Sequence, residues 1–322
     1  MTPDSRPEPA VPGIHHVTAI AGDPRKNRAF YTGTLGLRFV KRTVNFDDPG
    51  TYHLYYGDEV GTPGTALTFF PFEGARQGRV GAGQTGATAF VIPEGAIDYW
   101  IDRFDERGVD REDPIERFGE RVLPFRDPDS QPLELIEGAT DEAVRPWTEE
   151  VPEASAIRGF HGVTLLSGDV EATARVLETM GYEQRGEEGD RTRYRAPGDR
   201  AAVVDLAGAD RGVQGAGTVH HVAFRTADGE SQQAWRERLT DAGMRVTEVK
   251  DRRYFRSVYF REPGGVLFEI ATEGPGFTRD EGLDDLGEEL KLPPWLENDR
   301  EAIAADLPAI GDADPEAEVT GR

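Results

Sequence analysis

Gly13-Ile14-His15-His16-Val17-Thr18 decides the fold, because the chain carries three more copies of its pattern. These are Gly86-Ala87-Thr88-Ala89-Phe90, Gly159-Phe160-His161-Gly162-Val163-Thr164 and Val219-His220-His221-Val222-Ala223-Phe224. The second and fourth copies also close alike: Arg126-Asp127-Pro128 through Leu133-Glu134-Leu135 aligns without a gap on Arg261-Glu262-Pro263 through Phe268-Glu269-Ile270. At the opening position the copies carry His16, Ala87, Gly162 and His221, and at the closing position the second and fourth carry Glu134 and Glu269. One set of equivalent positions therefore offers two imidazoles and a carboxylate.

Each copy has the same grammar. A short apolar strand (17–20, 88–92, 163–166 or 222–225) leads into a helix (about 24–35, 97–107, 170–180 and 231–242). A glycine follows each helix (Gly36, Gly108, Gly181, Gly243), the residue that takes the left-handed C′ conformation without steric cost. Ile97, Ile101 and Phe104 share one helical face, as do Trp235, Leu239 and Ala242. Runs rich in β-branched and aromatic residues come next, at 37–46, 52–56 and 66–70 in the first copy and 245–249, 257–260 and 267–271 in the fourth. The expectation is an α+β fold of four βαβββ modules. One sheet with one helix cannot bury both its faces, so modules must pair into curved, half-barrel-like sheets. Residues 1–12 read as a disordered arm, 13–138 as two modules, 139–156 as a linker and 157–273 as two more modules. The tail, 274–322, carries Leu292-Pro293-Pro294-Trp295, a short helix near 303–307 and a disordered end.

Composition narrows the function. Sixty acidic against 37 basic residues give a net charge of −23, which repels nucleic-acid phosphates and anionic lipids. Dense surface carboxylates suit a halophilic, salt-rich cytoplasm that screens their repulsion. No apolar run is long enough for a membrane span, and the polar N-terminus lacks a signal-peptide core, so a cytoplasmic protein is expected. Cysteine is absent, which excludes disulfides, thiolate metal sites and a cysteine nucleophile. A homo-oligomer is compatible with this sequence.

Five of the six histidines stand at strand openings of the copies. Side chains alternate along a strand, so His16 and His221 should share a face. Glu269 lies between Phe268 and Ile270, where a buried charge is costly unless paired or bound to a cation. Two histidines and one carboxylate match the facial triad of non-haem Fe(II) oxygenases, with open positions left for substrate and O2; the same donors also suit Mn(II), Ni(II) or Zn(II). Glu134 faces Ala87 and Gly162 instead and should be structural. Because copies three and four hold only His221 and Glu269, His16 must come from copy one. Module 1 should therefore pair with module 4, and module 2 with module 3. His53, in Tyr52-His53-Leu54, reads as an ordinary strand histidine.

These residues resemble the vicinal oxygen chelate (glyoxalase/bleomycin resistance/dioxygenase) superfamily. Within it the chain is similar to ring-cleaving hydroquinone dioxygenases over about 13–307. The first histidine patch, Asp251 to Phe260 and Gly264 to Thr272 carry the likeness, with Leu292-Pro293-Pro294-Trp295 in support. The resemblance implies an Fe(II) site of His16, His221 and Glu269, surrounded by His15, Thr18, His220, Arg252 and Tyr259. It implies a small aromatic diol and O2 as substrates. His220 would handle protons, and Arg252 with Tyr259 would hold the second hydroxyl or stabilise developing charge. Phe255, Phe260 and Phe70 are candidate walls of an aromatic pocket. The alternatives are a catechol-type extradiol dioxygenase, a glyoxalase-like lyase or isomerase, and a drug-sequestering binding protein.

Overall fold

The computed structural model describes residues 10–139, 141 and 143–311. The first module runs β1 (Ile14–Ala21), α1 (Pro24–Arg28), β2 (Arg38–Asn45), β3 (Asp48–Gly57) and β4 (Ala66–Pro71). The second runs β5 (Gln84–Ile92), α2 (Ile97–Arg107), β6 (Ile115–Arg117), β7 (Glu120–Arg126) and β8 (Pro132–Glu137). The third runs β9 (Phe160–Ser167), α3 (Val170–Thr179), β10 (Glu183–Glu188), β11 (Arg191–Arg195) and β12 (Val203–Gly208). The fourth runs β13 (Thr218–Thr226), α4 (Gly229–Asp241), β14 (Lys250–Asp251), β15 (Arg256–Arg261) and β16 (Leu267–Thr272), and α5 (Arg300–Asp306) lies in the tail.

In every module the first strand pairs in parallel with the last, as β1 does with β4 and β13 with β16. A parallel pair needs a long crossover, and the helix with the two intervening strands supplies it. The modules then join edge to edge. One sheet has the order β14-β15-β16-β13-β1-β4-β3-β2 and the other β10-β11-β12-β9-β5-β8-β7-β6. The first unites the first and fourth modules, the second the inner two. The seams are the antiparallel pairs β1·β13 and β5·β9. The fold is interleaved.

The glycines Gly36, Gly108, Gly181 and Gly243 all have positive φ, so the helix stops lie where the sequence put them. Two elements differ from expectation. The first helix is α-helical only to Arg28 and continues as a π-helix over Ala29–Thr34. Gly33 between two β-branched threonines weakens the ordinary ladder, and the wider turn buries both Phe30 and Tyr31. No strand forms over the expected 245–249, and a two-residue strand, Lys250–Asp251, follows it. Thr247 still bonds Tyr259 through backbone and hydroxyl, but its carbonyl accepts from Arg236 of α4 and the ladder stops.

The tail covers an edge. Lys291 N–H donates to Arg42 O at 2.9 Å, and the fully buried Lys41 ammonium pairs with Asp280 (2.9 Å) and Glu281. Strand β2 is thereby shielded from edge-to-edge pairing. Val11, within the expected N-terminal arm, is buried and donates to Met180 O at 2.9 Å. Residues 1–9 of that arm, and 312–322 at the expected disordered end, lie outside the described residues. Among the described residues no helix is long and apolar enough to cross a membrane.

Candidate metal centre

Three adjacent strands form the floor of the outer-module sheet. His16 on β1 stands opposite Ala223 on β13, and Ala223 stands opposite Glu269 on β16. His221, two residues from Ala223, presents to the same face. All three side chains are buried, and their donor atoms make a triangle. His16 Nε2 and His221 Nε2 are 3.3 Å apart, and Glu269 Oε2 lies 3.5 and 3.0 Å from them. Ligands about 2.1 Å from one ion at right angles stand about 3.0 Å apart, so these edges fit one face of an octahedron. Glu269 Oε2 is fully buried and has no hydrogen-bond partner, an orphan that a cation would satisfy. Burial alone would raise the Glu269 carboxyl, but the two imidazoles hold it well below the usual range. Glu269 Oε1 accepts a bond from Ser257 Oγ at 2.5 Å, which fixes the carboxylate plane. Among the described residues this is the cluster of histidines and acids close enough to share a metal ion.

Two irregularities set the imidazoles. Ile14 pairs with Phe224 and His16 with Ala223, so His15 is an extra residue in β1. Thr18 pairs with His221 and Ala19 with Val219, so His220 is the extra residue in β13. These β-bulges bring neighbouring histidines alongside instead of alternating. His15 Nδ1 lies 2.9 Å from His16 Nδ1, and His220 Nδ1 lies 2.8 Å from His221 Nδ1. Burial, then the adjacent histidine, pushes His15 and His220 down to about 3, so both are neutral and able to accept. If His16 and His221 donate their Nδ1 protons to them, each Nε2 lone pair points into the triangle.

Above the floor opens a cavity of about 440 Å³, walled by Phe46, Phe70, Phe72 and Phe255 and reached by Tyr55, Arg252 and Tyr259. Arg252 Nε donates to Tyr259 Oη at 3.0 Å while its terminal nitrogen donates to Asp47 at 2.8 Å. Burial raises the Tyr259 phenol, so it stays protonated near neutrality.

Of the residues expected around the metal, His220, Arg252 and Tyr259 line this cavity and His15 and Thr18 do not. His15 is set behind His16 by its bulge and packs 5.0 Å from Phe255. Thr18 spends its hydroxyl on Thr68, at 2.8 Å. Phe70 and Phe255 line the cavity, whereas Phe260 packs in the core. His53 is a strand histidine on β3, as read, and it also lines the cavity and bonds Tyr55 and Thr68. The available signal was its alternation with Leu54, which puts His53 and Tyr55 on one face of β3.

The chain belongs to the Glyoxalase/Bleomycin resistance protein/Dioxygenase superfamily, whose model matches residues 13–135 and 160–270. It is an enzyme of that superfamily. It is 51% identical to a Bacillus subtilis protein named "Putative ring-cleaving dioxygenase MhqO", over 92% of this chain and 95% of the other. It is 36% identical to the chlorohydroquinone/hydroquinone 1,2-dioxygenase of Sphingobium indicum, over 91% of this chain and 95% of that one. The crystal structure of a "putative dioxygenase" from Bacillus subtilis superposes with a TM-score of 0.92 at 49% identity, covering 95% of this chain and 99% of the other.

Proposed function

We propose that this protein is an Fe(II)-dependent dioxygenase that opens the ring of a hydroquinone-type aromatic diol with O2. The observation that carries the proposal is the triangle of His16, His221 and Glu269 at the floor of an aromatic-walled cavity. Its relatives named as ring-cleaving dioxygenases support it. Fe(II), held by these three residues, would supply electron transfer between the diol and O2.

The chain's own groups do the rest. Phe46, Phe70 and Phe255 exclude water and hold the ring. Arg252 donates to Tyr259 Oη, and both side chains line the cavity, where an oxygen gaining negative charge would meet the guanidinium and the phenol. His220 commits Nδ1 to His221 and keeps Nε2 for the cavity it lines. With Nδ1 accepting, Nε2 carries the ring proton and is the atom placed to donate to an oxygen gaining negative charge. His15 and Thr18 act at one remove, by orienting His16 and Thr68.

The test is anaerobic reconstitution with Fe(II) in high-salt buffer, followed by oxygen uptake with hydroquinone, methylhydroquinone and catechol. The account expects uptake with the two hydroquinones, one O2 per ring opened. Uptake with none of the three by metal-loaded protein would overturn it.

A further inference from the structure

The triad and its flanks leave one question of chemistry open: what meets the second oxygen of a diol whose first oxygen sits at the floor? A diol with adjacent oxygens can present both to one ion. A diol with oxygens on opposite sides of the ring cannot, so its far hydroxyl needs a partner on the protein.

The topology supplies flanks on both sides of the floor. Glu269, His221 and His16 lie on β16, β13 and β1, and Tyr259 stands one strand outside this group, directly opposite Glu269. On the other side come β4 and then β3, two strand spacings or about 10 Å from β1. Thr18 pairs with Thr68, and Thr68 pairs with Tyr55, so one row of the sheet carries both hydroxyls and the phenol.

A chain of hydrogen bonds runs along that flank. Thr18 Oγ1 and Thr68 Oγ1 are 2.8 Å apart, Thr68 Oγ1 and His53 Nε2 2.9 Å, and His53 Nδ1 and Tyr55 Oη 2.8 Å. Both ring nitrogens of His53 are thereby committed inside the protein. Tyr55 ends the chain and lines the cavity. In one His53 tautomer the phenol donates to Nδ1 and keeps its lone pairs; in the other it accepts from Nδ1–H and keeps its proton. Either way one hydrogen-bonding function remains, and a substrate hydroxyl, both donor and acceptor, can use it. The Tyr55 ring is fixed by Phe277 at 5.0 Å and Tyr254 at 6.4 Å, so the hydroxyl is held and not merely available.

We propose that Tyr55, positioned by His53, binds the ring hydroxyl that the metal does not, and so selects diols with oxygens on opposite sides of the ring. The inference rests on the dioxygenase reading above. Tyr55 is the substrate contact; His53 is a positioning residue that acts through it.

The experiment compares wild type, Tyr55→Phe, His53→Ala and His53→Gln, each checked for full metal content. Zn(II)-loaded protein is titrated calorimetrically with hydroquinone and with catechol under argon, and Fe(II)-loaded protein is assayed by oxygen uptake. Tyr55→Phe should weaken hydroquinone binding and raise its KM about tenfold, the scale of one lost hydrogen bond, with kcat changed far less. Catechol should be unaffected. His53→Ala should follow Tyr55→Phe, and His53→Gln, which keeps a donor and an acceptor, should recover part of the loss. Equal losses for both diols, or none for hydroquinone, would overturn the inference while leaving the dioxygenase reading intact. Failure of the wild type to bind or consume either diol would instead remove that reading, and this inference with it.

Discussion

The two half-barrels share a strand order and a carboxylate at the same place, yet they neutralise it differently. In the outer-module sheet Glu269 gives Oε1 to Ser257 and turns Oε2, which no hydrogen bond satisfies, toward two imidazoles. In the inner-module sheet both oxygens of Glu134 accept from Arg117 Nη1, at 2.8 and 2.9 Å. A buried carboxylate needs a cation, and an arginine closes the matter where an ion with open positions would leave room for chemistry. The inner sheet has also lost the space for a ligand. A Cβ on Gly162, which matches His16, would fall 2.2 Å from Val203 O. His161, the bulge residue beside it, bonds Glu120 at 2.9 Å within a network that includes Arg193 and Asp205. One fold thus carries a face whose donors could hold a metal ion and a face whose carboxylate is closed by arginine.

Several substitutions sharpen this contrast. The largest effect is expected from Glu269→Ala, which should reduce bound metal from one ion per chain to none and abolish oxygen uptake, whereas Glu134→Ala should keep the ion. Metal analysis after gel filtration decides it, and equal losses would show that the carboxylates were assigned wrongly. Ser257→Ala frees Glu269 Oε1 and should weaken metal affinity about tenfold to a hundredfold, read by competition with a chelating dye.

On the structural face, Arg117→Met strands a carboxylate that is 7% exposed and should cost about 3 kcal/mol in chemical denaturation. Adding Glu134→Gln should recover much of that loss, and additive losses would contradict the pairing. The smallest effect concerns pH. Burial alone would raise Glu120, but His161 and Arg193 hold it down at about 2, against an ordinary 4.5. A depressed carboxylate contributes stability that is present above about 4.5 and lost as pH falls toward 2. Metal-free wild type should therefore melt above Glu120→Gln at neutral pH, and the gap should close across that window.

Much of this was legible in the sequence because it followed from counting. Two histidines and one glutamate at equivalent positions could meet only if the first copy packed beside the fourth, and the observed sheet does join them. The helix stops were legible because glycine alone takes their backbone without cost. What escaped depends on neighbours that are remote in the chain. His53 looked ordinary because nothing in Tyr52-His53-Leu54 states that β3 curls round to the cavity. The bulges at His15 and His220 escaped because they exist only in the pairing of β1 with β13, and without them the adjacent histidines would alternate. The π-helix likewise reflects the burial of Tyr31, whose hydroxyl donates to Asp127 of the second module at 3.0 Å.

The most direct measurement is anomalous diffraction at the iron edge from crystals grown and loaded with Fe(II) under argon. The account predicts one peak per chain, within bonding reach of His16 Nε2, His221 Nε2 and Glu269 Oε2, and none beside Glu134. Iron found elsewhere, or a triad that stays empty in saturated crystals, would contradict it.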